Sequence, residues 1–359
     1  MKTMEEILSD ANIESYTSLY SPKELIERYP VNEDSFNSVI QGREAIRNIL
    51  DKKDKRKIII TGPCSIHDPI SAREYAKKLK SLSDEVSDQI LIVMRTYLEK
   101  PRSCLGWKGI VYDPYLDGSG NIPDGLKISR QILLEISNLG LPCANEFVNN
   151  IFPQYLSDVL SWVAIGARTT ESQSHRELAS GLSMPVGFKN NTAGDISTAV
   201  EASKAARYPH TFLGVTNKGN LCAVKTKGNK YCHVVLRGGN GVPNCTPEMV
   251  NQTLSLQEKA GVPKNIIIDC SHGNSEKKYE KQEEVSYKVL NQILGGNNDL
   301  VGIMLESHIH EGKQAFPETE EQIRNLKYGV SITDGCISWE TTERIIRKYA
   351  EELRKINHQ

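Results

Sequence analysis

The sequence lacks the features that mark membrane proteins, disulfide-rich secreted proteins and nucleic-acid binders. None of its apolar runs reaches the roughly 18 residues of a membrane-spanning helix, and Met1 to Glu6 are too acidic and polar for a secretory signal. Its eight cysteines are scattered over 359 residues without a CxxC pair, so we expect no disulfide framework and a reducing, cytoplasmic location. The net charge of −1 provides no broad basic field for nucleic acid or an anionic membrane. Any anion-binding site must therefore be local.

Short apolar runs alternate with amphipathic stretches over most of the chain, which predicts strands followed by helices. We predict eight strands, at 57–61, 90–95, 142–147, 162–168, 185–189, 233–237, 265–269 and 300–306. Ser71 is the expected cap of the first intervening helix, and Thr246 of a later one. This alternation favours an α/β fold of the (β/α)8 TIM-barrel type, with a doubly wound open sheet as the alternative.

Two regions fall outside the alternation of strands and helices. Residues 1–50 are polar and helix-prone, which predicts an N-terminal helical extension with oligomer or regulatory contacts, followed by a catalytic domain at 51–359. Residues at about 210–232 carry two short strand patterns, which predict an inserted β-hairpin between strands five and six.

Positively charged side chains recur where the predicted strands end. The five cations are Arg95, Lys100, Arg168, Lys189 and Arg237. In a barrel these strand ends meet at one mouth. Clustered positive charges repel one another unless an anion binds between them, so we expect a ligand that carries both phosphate and carboxylate.

A second set of side chains at the strand ends offers metal-ligand atoms. Cys64, His272, Glu306 and Asp334 provide one thiolate, one imidazole and two carboxylates. This mixture suits one divalent ion such as Mn, Fe, Co or Zn. Each residue taken alone has a simpler explanation, because a histidine after a strand is more often structural and an acid there often caps the next helix.

Eight motifs then occur in order along the chain. They are Gly62-Pro-Cys-Ser-Ile-His67, Lys100-Pro-Arg-Ser103, Gly166-Ala-Arg-Thr-Thr-Glu-Ser172, Gly187-Phe-Lys-Asn190, Leu236-Arg-Gly-Gly239, Asp269-Cys-Ser-His-Gly-Asn274, Glu306-Ser-His308 and Ser331-Ile-Thr-Asp334. From about residue 20 to the C-terminus the chain thus resembles the type I, microbial 3-deoxy-D-arabino-heptulosonate 7-phosphate (DAHP) synthases. The resemblance implies a TIM-barrel transferase that condenses phosphoenolpyruvate (PEP) with erythrose 4-phosphate, the first step towards chorismate.

The resemblance also implies a role for each site residue. The metal would be held by Cys64, His272, Glu306 and Asp334. PEP would bind to Arg95, Lys100, Arg168, Lys189 and Arg237. Erythrose 4-phosphate would lie near Arg102, Ser103 and Asp334, where the family usually has threonine in place of Ser103. The residues implied in catalysis are Lys100, Glu146 and His272, with Lys100 as a general acid and Glu146 orienting water.

Relatives of this type often bind Phe or Tyr as a feedback inhibitor beside the inserted hairpin and across a subunit contact. The matching positions here are Asn149, Pro153, Gln154, Leu178, Leu182, Ser183, Phe212 and Gly214. Glycine at 214 favours Tyr, whereas core packing alone would explain Leu178, Leu182 and Phe212. The resemblance further implies a homodimer or homotetramer.

Three other functions compete with this interpretation. A 3-deoxy-D-manno-octulosonate 8-phosphate synthase would use the same PEP chemistry on arabinose 5-phosphate, but the loop from Lys100 to Ser103 and the N-terminal extension favour the four-carbon sugar. A metal-dependent hydrolase barrel would favour several histidine ligands and no cation cluster. A non-catalytic paralogue would be expected to lose a ligand or a PEP-binding cation, and this chain keeps all of them.

Overall fold

The computed structural model describes residues 3–357 and has a closed barrel of parallel strands at its centre. The ten strands are β1 Lys57–Gly62, β2 Ile90–Arg95, β3 Cys143–Glu146, β4 Trp162–Ile165, β5 Val186–Lys189, β6 Thr211–Val215, β7 Leu221–Lys225, β8 Cys232–Leu236, β9 Ile266–Asp269 and β10 Leu300–Glu306. Eight of them close the barrel in the order β1-β10-β9-β8-β5-β4-β3-β2. The predicted TIM barrel is confirmed, and the open-sheet alternative is wrong.

Helices follow most barrel strands and cover the outside of the barrel. They are α1 Met4–Leu8, α2 Pro22–Arg28, α3 Glu33–Leu50, α4 Pro69–Glu85, α5 Ile122–Asn138, α6 Pro153–Leu156, α7 Gln173–Gly181, α8 Ser197–Ala206, α9 Pro247–Ala260, α10 Gln282–Leu294, α11 Glu320–Arg324 and α12 Trp339–Asn357. None of these helices, within residues 3–357, is both long and apolar enough to cross a membrane.

Two helix caps were predicted, and one prediction is wrong. Thr246 caps α9 as expected, because its hydroxyl accepts the backbone N–H of Met249. In α4 the cap is Asp68 instead of Ser71, since the Asp68 carboxylate accepts the N–H groups of Ile70 and Ser71. The helix starts earlier than expected because proline is favourable at the first helical position, directly after Asp68.

The barrel interior is filled by large apolar side chains where small residues leave room for them. Trp162 on β4 is fully buried and lies across from Gly187 on β5. A Cβ atom at position 187 would lie 2.4 Å from the Trp162 ring, so only glycine allows this packing. Ile49 and Leu50 at the end of α3 join the same apolar cluster. The separation of residues 1–50 from a catalytic domain stays a prediction.

The inserted hairpin lies between the fifth and sixth barrel strands in chain order, as predicted. Strands β6 and β7 pair antiparallel, with Thr211 opposite Lys225 and Gly214 opposite Cys222. The two strands form a separate two-stranded sheet. The hairpin is therefore an addition to the barrel rather than part of its wall.

The parallel arrangement brings the carboxyl ends of all eight barrel strands to one mouth. Five of the barrel strands end on charged residues, which places these five residues at the same mouth. They are Arg95, Glu146, Lys189, Asp269 and Glu306.

Candidate active site

A cavity of about 610 Å³ opens at this mouth and contains most of the residues that the sequence singled out. Eleven of the twelve residues predicted to bind metal or substrate or to act in catalysis line it: Arg95, Lys100, Arg102, Ser103, Glu146, Arg168, Lys189, Arg237, His272, Glu306 and Asp334. The twelfth, Cys64, is fully buried, and its sulfur lies 2.7 Å from the Lys100 ammonium at the cavity wall. Residues that are up to 270 positions apart in the chain thus share one site.

The predicted metal ligands fall into a tight group of three and one neighbour. The ligand atoms of Cys64, Glu306 and Asp334 all lie within 4.8 Å of one another. His272 lies outside this group, although its Nε2 is 3.6 Å from Glu306 Oε1. Metal–ligand bonds of about 2.0–2.3 Å place neighbouring ligand atoms roughly 3.3–3.8 Å apart. The Cys64 Sγ to Asp334 Oδ2 distance of 3.6 Å agrees with that spacing, so the donor set fits a borderline divalent ion.

The Lys100 ammonium lies against two of these ligands. Its Nζ is 2.7 Å from Cys64 Sγ and 2.8 Å from Asp334 Oδ2. The Lys100 charge lowers the pKa of Asp334. Burial raises the pKa of the Cys64 thiol to about 11, and the Glu306 charge adds to that rise against the effect of Lys100. A divalent cation at the site would favour the Cys64 thiolate instead.

Glu306 is held as a buried carboxylate by several donors. Arg95 donates to its Oε1 at 2.8 Å, and the Ser271 hydroxyl donates to its Oε2 at 2.9 Å. Burial by itself would raise the pKa of Glu306, but the nearby His272, Arg95 and Lys100 lower it overall. The carboxylate is therefore kept ionised in a position that faces the other ligands.

The cation cluster lies beside this group. Lys189 Nζ is 3.1 Å from Asp269 Oδ2 and 3.8 Å from Glu146 Oε2, so it is paired on both sides. Burial lowers the pKa of Arg237, and the charge of the nearby Arg168 acts in the same direction. An anion between these groups would relieve that repulsion.

Two of the three predicted erythrose 4-phosphate residues, Arg102 and Ser103, lie on the loop after β2, whereas Asp334 follows β10. Arg168 Nε donates to the Ser103 hydroxyl at 2.6 Å, which links this loop to the cation cluster. Arg102 uses its Nε to donate to the Trp107 carbonyl at 2.7 Å. Ser103 therefore uses its hydroxyl, the group that it shares with the threonine usual in the family, to contact Arg168.

Glu146 reaches the cavity because residue 166 is glycine. The side chain of Glu146 is buried, and an added Cβ at Gly166 would lie 2.1 Å from its Oε1. Glycine at this position thus leaves room for the carboxylate where it lies. We count Gly166 among the residues that position the site.

Comparisons with known proteins agree with this geometry. Residues 29–347 match the DAHP synthetase I family. The chain belongs to this family. It is 47% identical over 348 residues to the Tyr-sensitive phospho-2-dehydro-3-deoxyheptonate aldolase of Salmonella typhimurium, covering 97% of each chain. It is 48% identical over 345 residues to the Phe-sensitive enzyme of Escherichia coli K12, covering 96% of this chain and 97% of the relative.

A solved structure shares both fold and sequence with this member of the DAHP synthetase I family. The phospho-2-dehydro-3-deoxyheptonate aldolase of Francisella tularensis SCHU S4 superposes with a TM-score of 0.92 at 45% identity. The match covers 96% of this chain and 99% of the other. The predicted family and the prediction that the chain is an enzyme are thereby confirmed.

The predicted effector residues of this DAHP synthetase I family member lie near the hairpin. Leu178 is buried on α7, Leu182 and Ser183 follow that helix, and α7 packs against β6, which carries Phe212 and Gly214. The His175 ring on α7 contacts the Val148 carbonyl at 2.9 Å, next to the segment with the remaining three positions, Asn149, Pro153 and Gln154. The structure thus places five of these positions on α7, directly after it or on the neighbouring β6, and the role of all eight as an effector site stays a prediction.

Several charged residues at the mouth or directly behind it were not predicted from the sequence. Glu99 is fully buried and accepts the backbone N–H groups of Val148 and Asn149 and the Tyr112 hydroxyl. Burial raises the pKa of Glu99 to about 8. The outer rim carries further cations that follow no strand: Lys277, Lys278 and Lys313. The position of Glu99 directly before Lys100 was the one available signal for it, whereas exposed lysines in loops give none.

Proposed function

We propose that this chain condenses phosphoenolpyruvate with D-erythrose 4-phosphate and water to give DAHP and phosphate. The observation that carries the proposal is that three metal-type ligands lie together beside a cluster of five cations at one cavity. Family membership supports the same reaction, because the relatives are named phospho-2-dehydro-3-deoxyheptonate aldolases. The reaction is the first step towards chorismate and the aromatic amino acids.

Phosphoenolpyruvate fits the cation cluster because it combines a phosphate and a carboxylate on three carbons. All five cations line the cavity: Arg95, Lys100, Arg168, Lys189 and Arg237. Arginine favours paired oxygens, whereas lysine contributes a point charge. The bound polyanion would offset the mutual repulsion of these five cations.

Erythrose 4-phosphate would bind with its phosphate near Arg102 and Ser103 and its aldehyde towards Asp334. One divalent ion, Mn, Fe, Co or Zn, would be held by Cys64, His272, Glu306 and Asp334, and when bound it would supply Lewis acidity at the aldehyde oxygen.

The reaction joins C3 of phosphoenolpyruvate to the aldehyde carbon of the sugar. Lys100 would protonate the aldehyde oxygen; its ammonium lies 2.8 Å from Asp334 Oδ2, the side chain towards which the aldehyde would point. Water oriented by Glu146 would then add at C2 and pass one proton to the Glu146 carboxylate. The C2–O bond to phosphate would break as the C2 hydroxyl becomes the carbonyl, and the hydroxyl proton would leave with the phosphate. Lys189, 3.8 Å from Glu146, would hold the leaving phosphate.

An aromatic amino acid is the effector we propose, because relatives are named as Tyr-sensitive and Phe-sensitive. The residues around α7 that were given above would form the effector site, and Gly214 favours Tyr over Phe. We propose a homodimer or homotetramer in the cytosol, with part of this site near a subunit contact.

The test is a phosphate-release assay with purified protein and phosphoenolpyruvate. We expect turnover with erythrose 4-phosphate, none with arabinose 5-phosphate, and loss of turnover in a chelator that Mn²⁺ reverses. Preference for arabinose 5-phosphate would favour the eight-carbon synthase instead. Full turnover in the chelator would refute the metal role, and no turnover with either sugar would favour a non-catalytic paralogue. Titration of Tyr and Phe in the same assay tests the effector.

A further inference from the structure

Asp269 is a buried carboxylate at the end of β9 that the reaction described above does not use. Its side chain is fully buried, and its Oδ1 accepts the backbone N–H of Ser271 at 3.0 Å. Its Oδ2 lies 3.0 Å from His272 Nδ1 and 3.1 Å from Lys189 Nζ. One oxygen atom thus contacts a candidate metal ligand and a candidate substrate-binding cation.

The contact between Asp269 and His272 brings together two buried polar atoms that, in the described part of the chain, each lack a hydrogen-bond partner. Within residues 3–357, Asp269 Oδ2 and His272 Nδ1 are both buried, and neither has a hydrogen-bond partner at favourable angles. Buried polar atoms are almost always hydrogen-bonded in folded proteins. Since the two atoms already lie 3.0 Å apart, a small rotation of the imidazole ring completes the bond.

The chemistry of the pair decides which ring nitrogen of His272 carries the proton. An ionised carboxylate only accepts hydrogen bonds, so the proton must be on Nδ1. In the neutral ring that a metal ligand requires, Nε2 then keeps its lone pair, and this nitrogen lies 3.6 Å from Glu306 Oε1, on the side of the proposed metal ligands. The backbone of His272 is fixed in the left-handed region at a φ of 56°, so ring rotation is the freedom that remains to be restrained.

We propose that Asp269 is a positioning residue that holds His272 in the Nδ1–H tautomer and couples the metal ligands to the phosphoenolpyruvate cations through Lys189. The proposal rests on the proposed function. A carboxylate behind a metal-binding histidine orients the ring and strengthens it as a ligand. Because Lys189 and His272 contact the same oxygen of Asp269, an anion that binds the Lys189 ammonium weakens the competing contact, and Asp269 then holds His272 more firmly. Phosphoenolpyruvate and metal should therefore each raise the affinity of the other.

The first test compares Mn²⁺ binding to the full-length protein and to Asp269→Asn, without sugar phosphate, by counting free Mn²⁺ with electron paramagnetic resonance. We expect about 10- to 100-fold weaker Mn²⁺ binding in Asp269→Asn. We also expect phosphoenolpyruvate to tighten Mn²⁺ binding in the wild type and to lose this effect in the variant. The matched control is Asp299→Asn, which removes a carboxylate that pairs with Lys52 just before β10, at the opposite end of the barrel. It should bind Mn²⁺ as the wild type does.

A second measurement needs no variant at this buried position. In ¹⁵N-histidine-labelled wild-type protein, ¹⁵N chemical shifts distinguish a protonated Nδ1 from a protonated Nε2, and we expect His272 in the Nδ1–H form. A wild-type His272 with the proton on Nε2, or a Mn²⁺ affinity of Asp269→Asn within about twofold of wild type, would overturn this inference and leave the proposed function standing. A wild-type protein that binds no Mn²⁺ would overturn both the inference and the metal role in the proposed function.

Discussion

The buried ion pair between Arg95 and Glu306 makes a quantitative stability test possible. The two side chains are 1% and 0% exposed, and Arg95 donates to Glu306 Oε1 at 2.8 Å. Replacing Arg95 by Met keeps most of the buried apolar volume but leaves Glu306 without its closest positive partner. Breaking a buried pair from one side costs about 3–5 kcal/mol, because the remaining charge stays desolvated and unpaired. We therefore expect Arg95→Met to lower the free energy of unfolding by about that amount.

A double-mutant cycle separates this cost from the loss of packing. Glu306→Gln removes the charge that Arg95→Met leaves behind, so the double variant should be less destabilised than the sum of the two single variants, by about 1–3 kcal/mol. Arg168→Met is the matched control, since Arg168 lines the same mouth but is exposed, and we expect it to change stability by less than about 0.5 kcal/mol.

The assay is urea unfolding followed by circular dichroism, with a chelator present so that metal binding does not contribute to stability. An Arg95→Met cost below about 1 kcal/mol, or additive effects in the double variant, would refute the account of Arg95 as the charge partner of a buried carboxylate.

Three further expectations concern separate parts of the molecule. Burial lowers the pKa of His233, whose Nε2 accepts a hydrogen bond from the Trp162 indole, from 6.5 to about 4. The stabilising contribution of the neutral ring is therefore fully present above pH 6.5 and is lost as the pH falls through 4, by roughly 3 kcal/mol. Urea unfolding should show this loss of stability in the wild type but not in His233→Gln. Gly166→Ala should displace Glu146 and lower kcat at least about tenfold in steady-state assays, with the chain still folded; an unchanged kcat would remove Glu146 from the reaction. Lys313→Ala should lower kcat/KM roughly two- to fivefold at low salt and hardly at about 0.5 M salt. The reason is that an exposed positive charge at the mouth attracts anionic substrates over a distance that salt shortens. An effect that does not depend on salt would argue against long-range attraction of the substrates by Lys313.

The strands and the mouth could be predicted because local sequence carries their signals. Runs such as Ile58 to Ile60 have the continuous apolar character of strands that are buried on both faces, and charged residues directly after them must lie at the strand ends. The hairpin was predictable for the same reason, from two alternating patterns separated by a turn.

Contacts between distant segments were not predictable from such patterns. The three-dimensional packing decides that His272 lies beside the group formed by Cys64, Glu306 and Asp334 rather than within it. The burial of Glu99 depends on backbone N–H groups some fifty positions away, which no local pattern encodes. The packing of the end of α3 onto the barrel core is likewise set by tertiary contacts. The cap at the start of α4 is different, because Asp68 followed by proline is a local signal that the prediction of Ser71 overlooked.

The most direct test of the central claim is anomalous X-ray diffraction from crystals of the full-length protein soaked with Mn²⁺ and phosphoenolpyruvate. We expect one strong manganese peak within bonding distance of Cys64, His272, Glu306 and Asp334, with the ligand's phosphate on the neighbouring cations. A manganese peak elsewhere, or phosphoenolpyruvate bound away from this mouth, would contradict the account.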